Sequence, residues 1–388
     1  MKNEIHRLGD YIREVDVRNK DLKVTNLLGV NLNKQFFPSI ANIIGTDLSK
    51  YKVIKKGQFG CKFMSVGRDG ILPISLLKND EFAIISSAYY AFEVIDDNIL
   101  SSDYLMMWLR RPEFDRQLWF YSGGDVRGGV NYRDFCEMPI IVPSIEQQRE
   151  IVSEYETISK RIKLNEQIIK NLEATAQTLY HKMFVEGIDK ENLPKGWRIG
   201  TLGEFCMISS SKRIFESEYC GNGVPFYRGK EITQKKNGEQ ILDLIYISEK
   251  RYNELIENYG KPQKGDILLT AVGTIGNSYM VQDEDFYFKD GNILWLHDFS
   301  ITNVNLYVYE YMQSNLFKKH INELSIGSTQ KALTIQSLLS MKIIFPDIAL
   351  IQKFGDMIKK VYNNIRIKRQ ENEKLKELQS LLLAKMGR

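Results

Sequence analysis

From Ile151 to Met183 apolar residues recur every third or fourth position: Ile151, Tyr155, Ile158, Ile162, Asn165, Ile169, Leu172, Ala176, Leu179 and Met183. The spacing alternates four and three without a slip, and Asn165 is the one polar member. Such a heptad seam predicts a long helix whose narrow apolar stripe needs a matching stripe. A second seam lies further along: Phe354, Ile358, Val361, Ile365, Lys368, Asn372, Leu375, Gln379, Leu382 and Met386. It is poorer, and Leu378 and Leu381 are expected to replace part of the lost contact. Paired antiparallel, the two helices meet at their midpoints. Asn165 then falls opposite the Lys368–Asn372 region, where polar residues fix register at some cost in stability.

Shorter patterns fill the rest. Phe82–Ser86, Tyr89–Val94 and the run Met138–Val142 read as strands, broken by turn signals such as Gly67-Arg-Asp-Gly70. Asp103–Leu109 reads as a helix with Asp103 as its cap. Ser144-x-x-Gln147 is a capping box that opens the first long helix, and Gly187 stops it. The polar stretch Asp189–Trp197 reads as a linker. Strand-like Gly265–Leu269 and Phe286–Phe288, a helix over Asn305–Phe317 and a strand over Met341–Phe345 follow, and Asp347 opens the second long helix. Four segments result: residues 1–143, globular; 144–190, helix and linker; 191–346, globular; 347–388, helix.

The two halves repeat. A shift of 203 residues carries Pro143 onto Pro346, Tyr104 onto Tyr307, Phe114 onto Phe317 and the whole first seam onto the second. Leu8-Gly-Asp-Tyr11 matches Leu202-Gly-Glu-Phe205 with a different shift. The order of globular segment, strand, proline and heptad helix, occurring twice, marks an internal repeat. A 33-residue seam is roughly 50 Å long. Antiparallel helices would hold the globular segments roughly one and a half turns of duplex apart, at about 3.4 Å per base pair.

Composition narrows the classes. The 388 residues exceed one ordinary core, and the net charge of +4 is only mildly basic. No apolar run reaches bilayer length and the first residues carry no secretory signal, so a cytoplasmic protein is expected. The four cysteines are scattered, which argues against structural zinc and a disulfide framework. A phosphate-binding GxxxxGK[ST] is absent, and Gly273-Thr-Ile-Gly276 reads as a hairpin turn. There is no Pro-Pro-aromatic tetrapeptide of the amino-methyltransferase kind. Pro346-Asp347 caps a helix and lacks a nuclease's following acidic-x-Lys. His6, His181, His297 and His320 stand isolated.

Basic residues interleaved with aromatics carry more information. The first segment has Lys55, Lys56, Lys62, Phe63 and Arg68, then Arg110, Arg111, Arg116, Trp119, Tyr121, Arg127 and Arg133. The second has Lys212, Arg213, Tyr227, Arg228, Lys230, Lys235, Lys236, Lys289, Gln330 and Lys331. Lysine and arginine neutralise phosphates, while arginine, asparagine and glutamine also read base edges. Singly, each fits a solvated charged face equally well; together the sets favour DNA. The loops Gly123–Gly129 and Gly327–Lys331 add glycines that allow close backbone approach to a phosphate.

Three passages then resemble one family. Pro143-Ser-Ile-Glu-Gln-Gln148, opening a heptad helix, is similar to the Pro-x-x-Glu-Gln junction of specificity (S) subunits of type I restriction–modification enzymes. Leu193-Pro-Lys-Gly-Trp197 with Leu202-Gly203 looks like the entry to that family's second recognition domain. Gly265-Asp-Ile-Leu268, Gly273-Thr-Ile-Gly276 and Gly327-Ser-Thr-Gln330 resemble its body. The resemblance covers essentially the whole chain. It implies a mixed α+β fold: two target-recognition domains, each followed by a long helix, the helices pairing as an antiparallel coiled coil with pseudo-twofold symmetry. It also implies a non-catalytic subunit that reads a split, asymmetric double-stranded DNA target and binds no cofactor itself. Two methyltransferase (M) subunits would bring S-adenosylmethionine, and nuclease–translocase (R) subunits would join them. The second junction, Pro346-Asp-Ile-Ala-Leu-Ile351, lacks the Glu-Gln pair, so the partner contact there is expected to be weaker or different. A coiled-coil structural protein with two non-DNA binding modules is the competing reading. A self-sufficient methyltransferase would need a catalytic domain for which no motif is found.

Overall fold

A computed structural model describes residues 4–39, 45–121, 130–239, 241, 243–324 and 332–387. The chain divides into two compact units, Met1–Leu164 with Asn372–Arg388, and Asn165–Glu371. The boundary runs through both long helices, so each of them contributes residues to both units.

The first unit is closed by β1 (Ile5–Arg7) pairing antiparallel with β11 (Pro139–Ile141). Four strands form its frame: β2 (Ile12–Val15), β7 (Phe59–Cys61), β8 (Ile74–Leu76) and β10 (Tyr90–Val94), in the order β2-β10-β7-β8. An insert of other strands sits beside it. The three strands β3 (Val17–Arg18), β6 (Lys52–Lys55) and β9 (Phe82–Ile85) form one sheet, and β4 (Leu28–Val30) with β5 (Phe36–Pro38) form a hairpin. The Gly67–Gly70 stretch, expected as a turn, is mostly the short helix α1 (Val66–Asp69), which ends at Gly70 in the left-handed conformation. Helices α2 (Ser102–Leu109), α3 (Pro112–Tyr121) and α4 (Tyr132–Cys136) cover the frame. Its core stacks Phe59 on Phe92 at 4.7 Å, with Phe135 beside them.

The second unit repeats this plan. The strands β12 (Arg198–Thr201) and β21 (Lys342–Phe345) close it. Its frame is β13 (Met207–Ser209), β17 (Ile267–Thr270), β18 (Ser278–Met280) and β20 (Ile293–His297), in the order β13-β20-β17-β18. In both units the first frame strand pairs with the last. The insert differs: β14 (Tyr219–Cys220), β15 (Val224–Tyr227), β16 (Ile245–Ile247) and β19 (Tyr287–Phe288) make one sheet with a parallel β15–β19 pair. Helices α6 (Gly229–Asn237) and α7 (Glu249–Tyr259) belong to it. Then come α8 (Val304–Gln313), α9 (Asn315–Leu324) and α10 (Ile335–Leu339); Ser314, in an extended conformation, breaks the single helix expected over Asn305–Phe317.

The repeat holds at single hydrogen bonds. The Leu8 amide donates to Met138 and the Leu202 amide to Met341, each at 2.9 Å. The Tyr104 hydroxyl donates to the Ile141 carbonyl (3.0 Å), and Tyr307 to Ile344 (2.8 Å). A Cβ at Gly9 would lie 3.1 Å from the Cys136 carbonyl oxygen, and one at Gly203 3.2 Å from that of Leu339, so both glycines allow the same tight approach to backbone.

The long helices are α5 (Ile145–Phe184) and α11 (Ile348–Lys385). Every seam residue is buried or half-buried. In the first unit Gln379 donates to the Ser159 hydroxyl (2.7 Å) and Asn372 to the Ile162 carbonyl (3.5 Å). In the second, Glu173 pairs with Arg369 at 3.0 Å and Tyr180 lies 6.3 Å from Phe354, ring to ring. Within each unit the touching residues run in opposite senses along the two helices. Leu378 and Leu381 do not serve the seam: they are 45% and 67% exposed, because they fall outside the heptad positions. Asp103 does not cap α2 either. The cap is Ser101, while Asp103 lies in the first turn and pairs with Lys78.

Candidate nucleic-acid interface

In the first unit Lys55 and Lys56 fall between insert and frame, Lys62 and Arg68 lie between the frame strands β7 and β8, and Arg133 is on α4. Lys55 ends β6 with its ammonium 4.0 Å from Glu93. Arg13 and Gln58, which sequence reasoning missed, also donate to Glu93, at 2.6 and 2.7 Å. Burial works against that carboxylate's charge, but these hydrogen bonds hold it below the usual range. Lys56 is exposed on the turn whose next residue, Gly57, has φ +88°. Lys62 is half-buried and Arg133 exposed. Arg68 makes a bidentate pair with Asp69, at 2.8 Å for each bond. The Trp119 indole reaches the Gly67 carbonyl at 3.4 Å, which sets the aromatic end of α3 beside α1. Arg127 lies outside the described residues, as does the loop Gly123–Gly129.

The second unit gathers its set more tightly. The irregular segment following β13 runs beside the turn between β19 and β20. The Ser211 hydroxyl donates to the Phe288 carbonyl (2.6 Å), the Lys212 amide to the Tyr287 hydroxyl (3.0 Å), and the Arg213 guanidinium to Asp290 (3.1 Å). Lys289 is tied to the same corner by its amide, which donates to the Tyr227 carbonyl at 2.9 Å. Lys212, Arg213 and Lys289, 77 residues apart in sequence at the extremes, therefore share one edge. The Lys212 ammonium lies 4.6 Å from the ring of Tyr259, an aromatic the sequence reading did not include. Among the described residues no ion pair occupies Lys56, Lys62, Arg133, Lys212 or Lys289.

Other members are less available. Tyr227 is a correction: it is 5% exposed, with its ring stacked on Phe286 at 4.5 Å, so it belongs to the core of the insert. Both faces of β15 are packed, since its neighbour Phe226 is buried in a separate cluster. Arg228 donates to the fully buried Glu231 at 2.6 Å and is thereby bound into the start of α6. Lys230 is exposed, 3.7 Å from Asp243. Gln330 and Lys331, with the loop Gly327–Lys331, lie outside the described residues. The Gly273–Gly276 stretch is the turn of the β17–β18 hairpin, both glycines having positive φ.

The chemistry these edges can perform is neutralising and reading a polyanion. His297 is not isolated in space: it bridges the Ser209 hydroxyl and the Asp298 carboxylate, each at 2.9 Å, as a cross-strand network against Trp295. Among the described residues no group of three or more His, Cys, Asp or Glu is placed to hold a metal ion, and no helix is long and apolar enough to cross a membrane.

Comparison with known proteins points the same way. Residues 39–174 and 194–377 match the type I restriction modification DNA specificity domain. A Haemophilus influenzae protein named as a type I restriction enzyme specificity subunit is 25% identical over 272 residues, 68% of this chain and 68% of that protein. The MjaVIII specificity subunit of Methanocaldococcus jannaschii is 23% identical over 279 residues, 66% of this chain and 63% of that protein. The crystal structure of a type I restriction–modification S subunit from M. genitalium shares the fold, with TM-score 0.58 at 15% identity, over 99% of this chain and 95% of that one.

Proposed function

The chain belongs to the type I restriction modification DNA specificity family, and from that membership we propose that it reads a bipartite, asymmetric double-stranded DNA target, one half-site with each unit. It is a DNA-recognition component and not itself an enzyme. The observation that carries the bipartite reading is the repeated frame with unlike inserts. A doubled scaffold suits two similar docking poses on duplex, and unlike inserts suit two different base sequences. Lys212, Arg213 and Lys289 in the second unit, and Lys55, Lys56, Lys62, Arg68 and Arg133 in the first, would meet phosphates and base edges.

The two long helices, pairing as an antiparallel coiled coil with pseudo-twofold symmetry, would serve as spacer and as docking surface. Two M subunits, carrying S-adenosylmethionine, would supply methylation, and R subunits would supply cleavage and translocation. The setting would be the cytoplasm. The family match over both halves disfavours a coiled-coil protein with non-DNA modules.

The test is methylome sequencing of cells carrying this chain with its M subunits, with salt titration of the purified complex on the site it reveals. One split, asymmetric motif and an affinity that falls steeply with salt are expected. Equal binding to all duplexes would falsify the reading.

A further inference from the structure

The β4–β5 hairpin turns through Asn31-Leu-Asn-Lys-Gln35. Lys34 sits there with φ +58°, in the left-handed region that glycine takes at lower cost. What the position gains from lysine is therefore its side chain. That side chain is almost fully buried. Its ammonium donates to both carboxylate oxygens of Asp115 on α3, at 2.8 and 2.7 Å, and to the Leu109 carbonyl at the end of α2. Asp115 also accepts the Leu72 amide at 3.1 Å. A cation on the last carbonyls of a helix is favoured by the helix dipole. A buried pair of this kind is poor evidence for stability, since apolar residues of similar volume hold a fold as well, but it fixes geometry.

The geometry it fixes is that of Lys34's neighbours. Asn33 and Gln35 are exposed on either side of it. Both carry amides, the side chains that pair bidentately with an adenine edge. The hairpin belongs to the first unit's insert and has no counterpart in the second unit's, which is where a difference between half-sites must lie. Resting on the DNA-reading function, we propose that Lys34, through Asp115, is a positioning residue that presents Asn33 and Gln35 to base edges of the half-site read by the first unit.

The test measures methylation at every one-base variant of the target, in cells carrying the full chain with its M subunits. Lys34→Gly relieves the strained backbone and removes the clamp. It should cut discrimination at the first half-site about tenfold, the scale of one lost base contact, and leave the second unchanged. The pair Asn33→Ala with Gln35→Ala should relax the same base positions. Lys34→Met with Asp115→Leu guards against a folding defect: its unfolding midpoint should return to the wild-type value while first-half discrimination stays relaxed. Wild-type discrimination in either clamp variant, or equal relaxation at both half-sites, would overturn the proposal. A wild-type chain with no split target would instead overturn the recognition reading beneath it.

Discussion

Tyr104 and Tyr307 make the same hydrogen bond, in the same place, in two units of one chain. Three residues on, the units part company. Met107 is buried among apolar neighbours in the first, whereas its counterpart Glu310 is a buried carboxylate that knots three helices in the second. Tyr362 of α11 donates to Glu310 at 2.5 Å, and Gln177 of α5 donates to its carboxylate and, at 2.9 Å, to its carbonyl. The contrast recurs at larger scale. The frame order, the closing strand pairs and the two crowded glycines are shared, while the inserts differ in strand number, in direction and in helix content. The frame obeys packing demands that both units face alike. The insert answers to something outside the chain.

The largest effect should come from exchanging the first unit's insert, residues 16–58 together with 80–88, for that of a relative with another target. Only the first half-site should change, and affinity for the old site should fall by about 10³ or more, towards non-specific binding. A methylome altered in both halves would break the comparison.

Next is Glu310. Burial pushes its carboxyl up to about 7, with the Tyr362 and Gln177 hydrogen bonds opposing and Glu173 adding to the rise; the ordinary value is 4.5. The folded pKa lies above the unfolded one. The favourable contribution is therefore complete below about pH 4.5 and is lost as pH rises through about 7, a swing of about 3 kcal/mol. Hydrogen exchange should show α8 loosening between pH 5 and 8, as α2 does not, and Glu310→Gln should flatten that dependence.

Gly9→Ala and Gly203→Ala should each cost about 1–3 kcal/mol in denaturant unfolding, by forcing apart the same crowded contact. Unequal losses would show the frames to be less alike than their hydrogen bonds. Smallest are Lys212→Ala and Lys289→Ala. Each should weaken binding uniformly across sequences and lower the salt slope by about one, read by titration.

Periodic and local features were legible in the chain: both long helices, the strands next to each proline, the Gly273–Gly276 turn and the repeat. They rest on spacing that sequence displays directly. The inserts were not. The β15–β19 parallel pair joins strands some sixty residues apart. The acids that occupy the basic residues are as distant: Asp290 for Arg213, Glu93 for Arg13. Tyr227 shows the same blindness, since its neighbour Arg228 suggested a surface and only packing on both faces of β15 buries the ring. Lys34 escaped notice because nothing near it in sequence is acidic; its partner lies 81 residues away.

The joints between units' frames and their helices have a consequence for breeding new specificities. In the first joint the helix supplies the polar group: Gln148 accepts from the Ser101 amide and donates to Ile99 and Pro143, each at 2.8 Å. In the second joint the domain supplies it. Asn303, at φ +68°, donates to Asp356 at 3.0 Å. The repeat sets Gln148 against Ile351 and Asn303 against Leu100, so polar and apolar sides are reversed. A crossover that swaps a domain but leaves the old helix behind would face Leu100 with Ile351, or Gln148 with Asn303. A domain should therefore be exchanged together with the first turns of the helix that follows it.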